Sequence, residues 1–158
     1  MRIYTDASTR KVSGLGYIAT DSKHNIIQKK GVVIDQADNN TAELQAIIYA
    51  IDDTQDLLQK NEKVTIFTDS TYAIGAIRCN IYRSEEEPLV RKIQNLMDYG
   101  DYKLMWIKGH CQDGTVLSYY NKRVDKIAKG ARVEYEKEII KEKRIQNLIR
   151  QNKDYKHE

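Results

Sequence analysis

Short apolar stretches alternate with turn-forming residues over the first part of the chain. One opens at Ile3 and Tyr4, and two more follow at residues 14–21 (GLGYIATD) and 26–34 (IIQKKGVVI); the polar segments STRKVSG and DSKHN separate them. Apolar runs of this length, bounded by Gly, Ser, Asn and Asp, are typical of strands joined by tight turns. We therefore predict three strands in an antiparallel meander.

The second apolar stretch also matches a loose dinucleotide-binding pattern, with Gly14, Gly16 and Ala19 at the required spacing. That pattern requires a helix to begin at the glycines. Tyr17 and Ile18 favour a strand instead, so we assign this segment to the meander.

After residue 40 the apolar positions change to a helical period. The new period predicts a helix over residues 41–59 with one mostly apolar face. That face is formed by Leu44, Ile47, Ile48, Ile51, Gln55 and Leu58.

The pattern then alternates between strands and helices. Residues 63–68 (KVTIFT) and 102–108 (YKLMWIK) predict two more strands; helices are expected from Ser70, after Pro88 and from Asn121. This order predicts an α/β fold: a five-stranded mixed sheet with strands 1–3 antiparallel, strands 4 and 5 joined by parallel crossovers, and helices flanking the sheet.

The chain has 158 residues, a single Pro and no linker-like tract, which favours one core. We expect the folded domain to cover residues 1–132. Residues 133–158 mix charges with a poor apolar stripe, which predicts a charged, helical C-terminal extension. Its basic residues either reach phosphates or belong to a solvated helix.

The net charge of +3 permits a polyanionic partner without requiring one. No apolar run approaches the roughly 20 residues that span a bilayer, and the chain opens without a signal-peptide pattern. Cys79 and Cys111 do not make a disulfide framework. We expect a cytoplasmic monomer with no membrane partner.

Four acidic residues lie at or near the ends of predicted elements. They are Asp6 at the end of strand 1, Glu43 in the first turn of the long helix, Asp69 after strand 4, and Asp125 in the first turn of the last helix. Neighbouring strand ends lie about 5 Å apart, so acids from distant parts of the chain can meet at one edge of the sheet. Crowded carboxylates repel unless protons or divalent cations offset them, and oxygen ligands suit magnesium or manganese. Two such ions can catalyse phosphodiester hydrolysis.

Each of these acids, taken alone, also has a purely structural explanation. The alternatives are a turn at Asp6, a capping box of Glu43 with Asn40, a helix cap at Asp69, and an ion pair of Asp125 with Lys129 or Lys122. None of them explains why apolar strands lead into acids at several distant positions.

Five motifs together resemble the type 1 ribonuclease H family. The motifs YTDAS, NNTAEL, TDSTYAIGAI, WIKGH and NKRVDKIA occur in the family's order, with similar intervals, between Arg2 and about Arg132. One T-D-x-S match would carry no information. The combination is specific, because four acid-bearing motifs accompany the Lys108-Gly109-His110 segment and Asn121.

The resemblance implies an endoribonuclease that hydrolyses the RNA strand of RNA–DNA hybrids with two Mg²⁺ ions, for which Mn²⁺ can substitute. Products would carry 5′-phosphate and 3′-hydroxyl groups. By resemblance, Asp6 bridges both ions, Glu43 and Asp69 complete the site of one, and Asp125 holds the other. His110 would assist proton transfer or product release.

The resemblance also implies residues that contact the hybrid. Asn39 and Asn40 match a pair of amides that contact the groove, where the 2′-hydroxyl distinguishes RNA from DNA. The remaining expected substrate contacts are Ser70, Thr71, Lys108 and Asn121.

The chain departs from the family pattern at three places. Thr71 stands where Gln is frequent, and Asp38 stands where a phosphate-binding Thr precedes the two amides. The interval between Asp69 and Trp106 is short and contains SEEEP (residues 84–88) in place of a basic, aromatic handle. A handle would add salt-dependent phosphate contacts, so we expect modest hybrid binding.

Three alternatives remain at this stage: a non-catalytic RNA–DNA hybrid-binding module, a DNA-directed nuclease of the same broad fold, and the nuclease domain of a reverse transcriptase.

Overall fold

A computed structural model describes residues 1–109 and 113–156, with side chains up to residue 153. The strands are β1 (Arg2–Thr9), β2 (Ser13–Thr20), β3 (Ile26–Ile34), β4 (Lys63–Thr68) and β5 (Asp101–Trp106). The helices are α1 (Asn39–Thr54), α2 (Thr71–Cys79), α3 (Glu87–Asp98) and α4 (Val116–Lys156), with 3₁₀ turns at Gln55–Leu57 and Ser84–Glu86.

The sheet has the strand order β3-β2-β1-β4-β5. β1 pairs antiparallel with β2, and β2 with β3, whereas β4 pairs in parallel with both β1 and β5. The predicted α/β class and strand directions are confirmed.

Alternating side chains of β1 reach two separate apolar cores, as expected for a strand covered on both faces. Ile3 packs with Leu44, Ile47 and Ile66 in the larger core, on the side of α1, α2 and α3. Tyr4 packs on the opposite face with residues of α4, including Val124. The central strand is therefore held from both sides, and the residues that follow Tyr4 are fixed by both cores.

Three glycines let α4 approach the sheet closely. A Cβ atom at Gly14 would lie 2.1 Å from the carbonyl oxygen of Ala128, and one at Gly16 would lie 3.0 Å from the Ala128 nitrogen. Gly31 on β3 contacts the same helix. Gly14 and Gly16 lie within β2, so the dinucleotide-binding interpretation does not apply.

Two predicted helix boundaries were wrong, each because a different residue caps the helix. α1 begins at Asn39 because the side chain of Asp38 accepts a hydrogen bond from the Thr41 N–H at 2.9 Å, which excludes the capping box with Asn40. α4 begins at Val116, not Asn121, because the Thr115 hydroxyl accepts from the Ser118 N–H. Asp125 therefore lies well inside its helix and not in the first turn.

Two other element ends also differ from the prediction. α1 ends at Thr54 and passes into a 3₁₀ turn, so the predicted helix to residue 59 was too long. The fifth strand stops at Trp106, two residues earlier than expected.

The last helix continues without interruption to Lys156, and most side chains of residues 133–153 are exposed. The helical form agrees with the expectation for this segment; its standing as a separate extension stays a prediction. In the described ranges, every helix is too short or too polar to span a bilayer.

Candidate active site

Carboxylates from β1, from α1 and from the connection after β4 converge at one edge of the sheet. Oxygen atoms of Asp6, Glu43 and Asp69, one from each side chain, lie within 4.8 Å of one another. Asp125 lines the same open cleft, which has a volume of about 420 Å³. The four acids singled out in the sequence thus share one cleft.

The sheet topology explains this convergence. Parallel pairing of β1 with β4 ends where Tyr4 meets Phe67, and Asp6 and Asp69 each come two residues later. β1 does not end at Asp6 as predicted, because its antiparallel pairing with β2 continues to Thr9. Asp6 is therefore held rigidly inside a strand, at the point where the neighbouring strand β4 turns away.

Helices bring the other two acids to this edge. Glu43 is the fifth residue of α1, and Asp125 on α4 is placed by the close packing of that helix on Gly14 and Gly16. The Lys129 ammonium lies 3.2 Å from Asp125 on the same helix, as the ion-pair alternative predicted; this contact does not prevent Asp125 from lining the cleft.

Burial and mutual repulsion favour the protonated forms of two of these acids. Burial, together with the negative charges of Glu43 and Asp69, raises the pKa of Asp6 to about 11. Partial burial raises the pKa of Glu43 to about 8, with the charges of Asp69 and Asp125 adding to the effect and hydrogen bonding to Asp6 and the Ala7 N–H opposing it. Ionising these two acids therefore creates unfavourable negative charge, which a bound cation would offset.

The donor set fits magnesium or manganese. It consists of carboxylate oxygens alone, which are the ligands that hard divalent cations prefer. Glu43 Oε2 is buried and has no hydrogen-bond partner among the residues the structure describes. A buried acceptor of this kind has unused capacity for a cation. Asp6, Glu43, Asp69 and Asp125 are thus the residues that could hold metal.

Three neighbours surround Asp69. The Asn121 amide nitrogen lies 3.4 Å from Asp69 Oδ2, the Trp106 indole N–H donates to the Asp69 carbonyl at 3.3 Å, and a Cβ at Gly109 would lie 3.1 Å from Oδ2. Sequence reasoning missed the role of Trp106, because its position at the end of β5 carries no signal of a contact with β4. Asn121 is only 5% exposed, which favours a supporting position behind Asp69; its contact with substrate stays a prediction.

Polar side chains form the rim of the cleft. Asn39, Asn40, Ser70 and Thr71 all line it, and their contacts with substrate stay predictions. Ser70 also caps α2, because its hydroxyl accepts from the Ala73 N–H at 3.0 Å. The cap that sequence reasoning offered for Asp69 therefore belongs to Ser70, and Asp69 remains available to the cleft.

Lys108 and His110 are two further expected site residues. Lys108 is exposed just past β5 and is not part of the lining that the structure describes. His110 lies outside the described residues. The roles expected for both stay predictions.

Comparison with known proteins agrees with the fold. The model of the RNase H family matches residues 1–133. A solved structure of LC11-RNase H1, isolated from compost by a metagenomic approach, has a TM-score of 0.70 and 23% identity, covering 82% of this chain and 93% of that one. RNase H1 from the halophilic archaeon Halobacterium salinarum NRC-1 has a TM-score of 0.69 and 19% identity, covering 84% and 97%.

A second structure of LC11-RNase H1, in complex with an RNA/DNA hybrid, is also similar, with a TM-score of 0.71 and 22% identity over 82% of this chain and 94% of that one. Identities this low establish the common fold alone. The family match, by contrast, covers most of the chain and includes all four clustered acids. This chain therefore belongs to the RNase H family.

Proposed function

We propose that this protein is an endoribonuclease that hydrolyses the RNA strand of RNA–DNA hybrids with two divalent metal ions. The observation that carries the proposal is the convergence of Asp6, Glu43 and Asp69 within 4.8 Å in a cleft that Asp125 also lines. Membership of the RNase H family supports the same activity. We favour Mg²⁺, with Mn²⁺ as a substitute.

The four acids Asp6, Glu43, Asp69 and Asp125 would hold the ions through their carboxylate oxygens. When bound, such a pair of ions activates water and stabilises charge on the leaving oxygen of a phosphodiester. In the reaction, the water oxygen bonds to phosphorus, the bond from phosphorus to the 3′-oxygen breaks, and a proton passes to that oxygen. The products then carry 5′-phosphate and 3′-hydroxyl groups.

The rim of the cleft is proposed to recognise the hybrid. Asn39 is exposed and Asn40 partly so, and both line the cleft beside the helix that carries Glu43. An amide both donates and accepts hydrogen bonds, which suits a 2′-hydroxyl in a shallow minor groove. The hybrid held by LC11-RNase H1 supports this substrate class for a related fold.

Asp38 is not a simple repulsive charge near substrate phosphate. Its carboxylate caps α1 and pairs with the Arg83 guanidinium at 2.9 Å. These contacts hold the pKa of Asp38 below its usual value, the Thr41 backbone hydrogen bond being the largest cause. The positive charge of Arg83 thus partly offsets the negative charge of Asp38. Weaker binding of the DNA strand stays a prediction.

The test is cleavage of one labelled RNA strand, offered alone, paired with RNA and paired with DNA, with duplex DNA as a further substrate. Each substrate is incubated with Mg²⁺, Mn²⁺ or a chelator, and Asp6→Asn is compared with wild type. We expect cleavage of the hybrid alone, abolished by the chelator and in Asp6→Asn.

Binding of the hybrid without cleavage under either metal would overturn the proposal in favour of a non-catalytic binding module. Cleavage of duplex DNA in preference to the hybrid would indicate a DNA-directed nuclease instead. A monomeric state and a cytoplasmic location stay predictions.

A further inference from the structure

A fully buried carboxylate lies outside the acidic cluster and is not used by the proposed chemistry. Glu86, the last residue of the 3₁₀ turn Ser84–Glu86, is 1% exposed. It belongs to the SEEEP segment, which the sequence marked as a departure from the family pattern. Burying a carboxylate is costly unless it is paired and hydrogen-bonded, so its partners indicate its role.

The two oxygens of Glu86 bind two different helices. Oε1 accepts a hydrogen bond from the Thr41 hydroxyl of α1 at 2.9 Å, and Oε2 accepts one from the Tyr72 hydroxyl of α2. The Arg83 guanidinium pairs with Oε1 and offsets the charge. One side chain therefore ties the first turns of α1 and α2 together.

Each tied residue lies close in sequence to an acid of the cluster. Thr41 lies two residues before Glu43, and Tyr72 lies three residues after Asp69. Oxygens of Glu43 and Asp69 lie within 4.8 Å of each other. The contacts of Glu86 join the first turn of α1 to the first turn of α2. The relative position of these two turns also determines the distance between Glu43 and Asp69.

Arg83 links the same network to the cap of α1. Its guanidinium pairs with Asp38 at 2.9 Å and lies 5.9 Å from the centroid of the Tyr72 ring, and its backbone N–H donates to the Tyr72 hydroxyl at 3.0 Å. These contacts connect five residues into one network, in which each member contacts at least one other: Asp38, Thr41, Tyr72, Arg83 and Glu86.

We infer that Glu86 is a positioning residue that holds Glu43 and Asp69 at the separation needed to share a divalent cation. This inference rests on the proposed function. Groups that hydrogen-bond metal ligands directly commonly contribute 10- to 100-fold to metal affinity or activity. Glu86 acts one step further out, through Thr41 and Tyr72, so we expect an effect at the lower end of that range. Glu86 fixes the spacing of Glu43 and Asp69 before any metal binds. The two carboxylates then do not have to be brought together against their mutual repulsion at the moment of binding.

The test is calorimetric titration of the metal-free full-length protein with Mn²⁺ alone. Glu86→Ala is expected to raise the Mn²⁺ dissociation constant about tenfold, while Glu85→Gln, at the exposed preceding position, leaves it unchanged. High Mg²⁺ is expected to restore much of the hybrid cleavage of Glu86→Ala. A loss of stability alone would not shift the metal dependence in this way, provided both proteins are folded at the assay temperature.

Thr41→Val covers the case in which Glu86→Ala does not fold. It removes the hydroxyl that donates to Glu86 at 2.9 Å and also lies 3.3 Å from Asp38 Oδ2, but it keeps a β-branched side chain and the backbone N–H that Asp38 caps. We expect a weakening of Mn²⁺ binding of about threefold. If Glu86→Ala does fold, the Thr41→Val/Glu86→Ala double variant should show no additive loss, because both changes remove the same hydrogen bond.

Folded Glu86→Ala with wild-type Mn²⁺ affinity would overturn the inference, as would an unaffected Thr41→Val if Glu86→Ala does not fold. The Asp6→Asn variant distinguishes failure of the inference about Glu86 from failure of the proposed function. If wild type binds Mn²⁺ and Asp6→Asn does not, the metal site stands and the inference about Glu86 alone is wrong. If wild type does not bind Mn²⁺, the metal-dependent function fails and the inference fails with it.

Discussion

The amide nitrogen of Asn121 lies 3.4 Å from Oδ2 of Asp69 and joins α4 to the loop after β4. The two residues are 52 positions apart in the chain, yet Asn121 is buried behind the carboxylate. Its Oδ1 is buried without a partner among the residues the structure describes. The amide is therefore placed to orient Asp69.

We predict that Asn121→Ala lowers hybrid cleavage about tenfold, because Asp69 loses a group that orients its metal-binding oxygen. The measurement is the rate of cleavage as Mg²⁺ is varied, with thermal unfolding recorded alongside. Lys122→Ala, at the exposed next position on α4, is the matched control and should behave like wild type. Unchanged cleavage and metal dependence in a folded Asn121→Ala protein would contradict the supporting role.

Asp6→Asn is expected to stabilise the metal-free protein by about 1–2 kcal/mol near neutral pH, while it abolishes metal-dependent cleavage. The folded state raises the pKa of Asp6 from an ordinary 3.8 to about 11. The contribution of Asp6 to the free energy of unfolding is fully present below pH 3.8 and is lost as the pH rises toward 11. Between these values the folded state holds a proton that the unfolded state has released.

The stabilisation by Asp6→Asn should therefore grow as the pH rises from about 4 to 8, and urea unfolding in the presence of a chelator measures it. Asp35→Asn, at an exposed position outside the lining of the cleft, is the control for loss of one negative charge. A pH-independent difference between Asp6→Asn and wild type would show that burial and repulsion at Asp6 are not the cause.

Gly14→Ala is predicted to destabilise the protein by about 3 kcal/mol through overpacking. The new Cβ would lie 2.1 Å from the Ala128 carbonyl oxygen, so α4 must move away from β2. Asp125 lies on α4, three residues before Ala128, and cleavage should fall as well.

Gly130→Ala is the matched control, because Gly130 lies on α4 and, among the residues that the structure describes, its Cβ would meet no atom within 4 Å from outside its own stretch of helix. It should stabilise the helix by about 0.5–1 kcal/mol. Urea unfolding of both variants is the measurement; equal stability of the two would contradict the close approach of α4 to the sheet.

Truncation after Glu138 tests the end of α4. It removes residues 139–158, which carry six Lys and Arg side chains and three acids, Glu142, Asp154 and Glu158. We expect removal of this segment to weaken hybrid binding and to reduce the salt slope of binding by about one to two, because each phosphate contact releases counterions. The ion pair of Arg132 with Glu136 remains in the truncated protein, so the domain should unfold at the same temperature. An unchanged salt slope would show that this part of the helix is merely solvated.

Local patterns were sufficient for most of the elements. β3 and β4 have the bounds that their apolar runs predicted, because turn-forming residues on either side of a short run of strand-favouring residues mark its ends locally. Helix starts were less accurate. Asp38 and Thr115 cap α1 and α4, and several polar residues near each start are chemically able to do so, so spacing alone does not select the cap.

The acids of the candidate site were recognisable from sequence because their motifs keep a fixed order along the chain. The distances between these acids could not be predicted from sequence, since Asp6 and Glu43 meet only when β1 and α1 pack together. The roles of Trp106 and Glu86 were equally hidden. An exposed Trp at a strand end and a Glu in an acidic run look like surface residues until a neighbouring element covers or contacts them.

The sequence by itself determined the series of strands and helices and the chemical class of the site. Hydrophobic periodicity and acid-bearing motifs can both be recognised within a few consecutive residues. What tertiary packing decided was which side chains became buried partners. The spacing of Glu43 and Asp69, the orientation of Asp69 by Asn121 and the approach of α4 over Gly14 all depend on contacts between residues far apart in the chain. Such contacts form only when burial of two apolar cores brings those elements together.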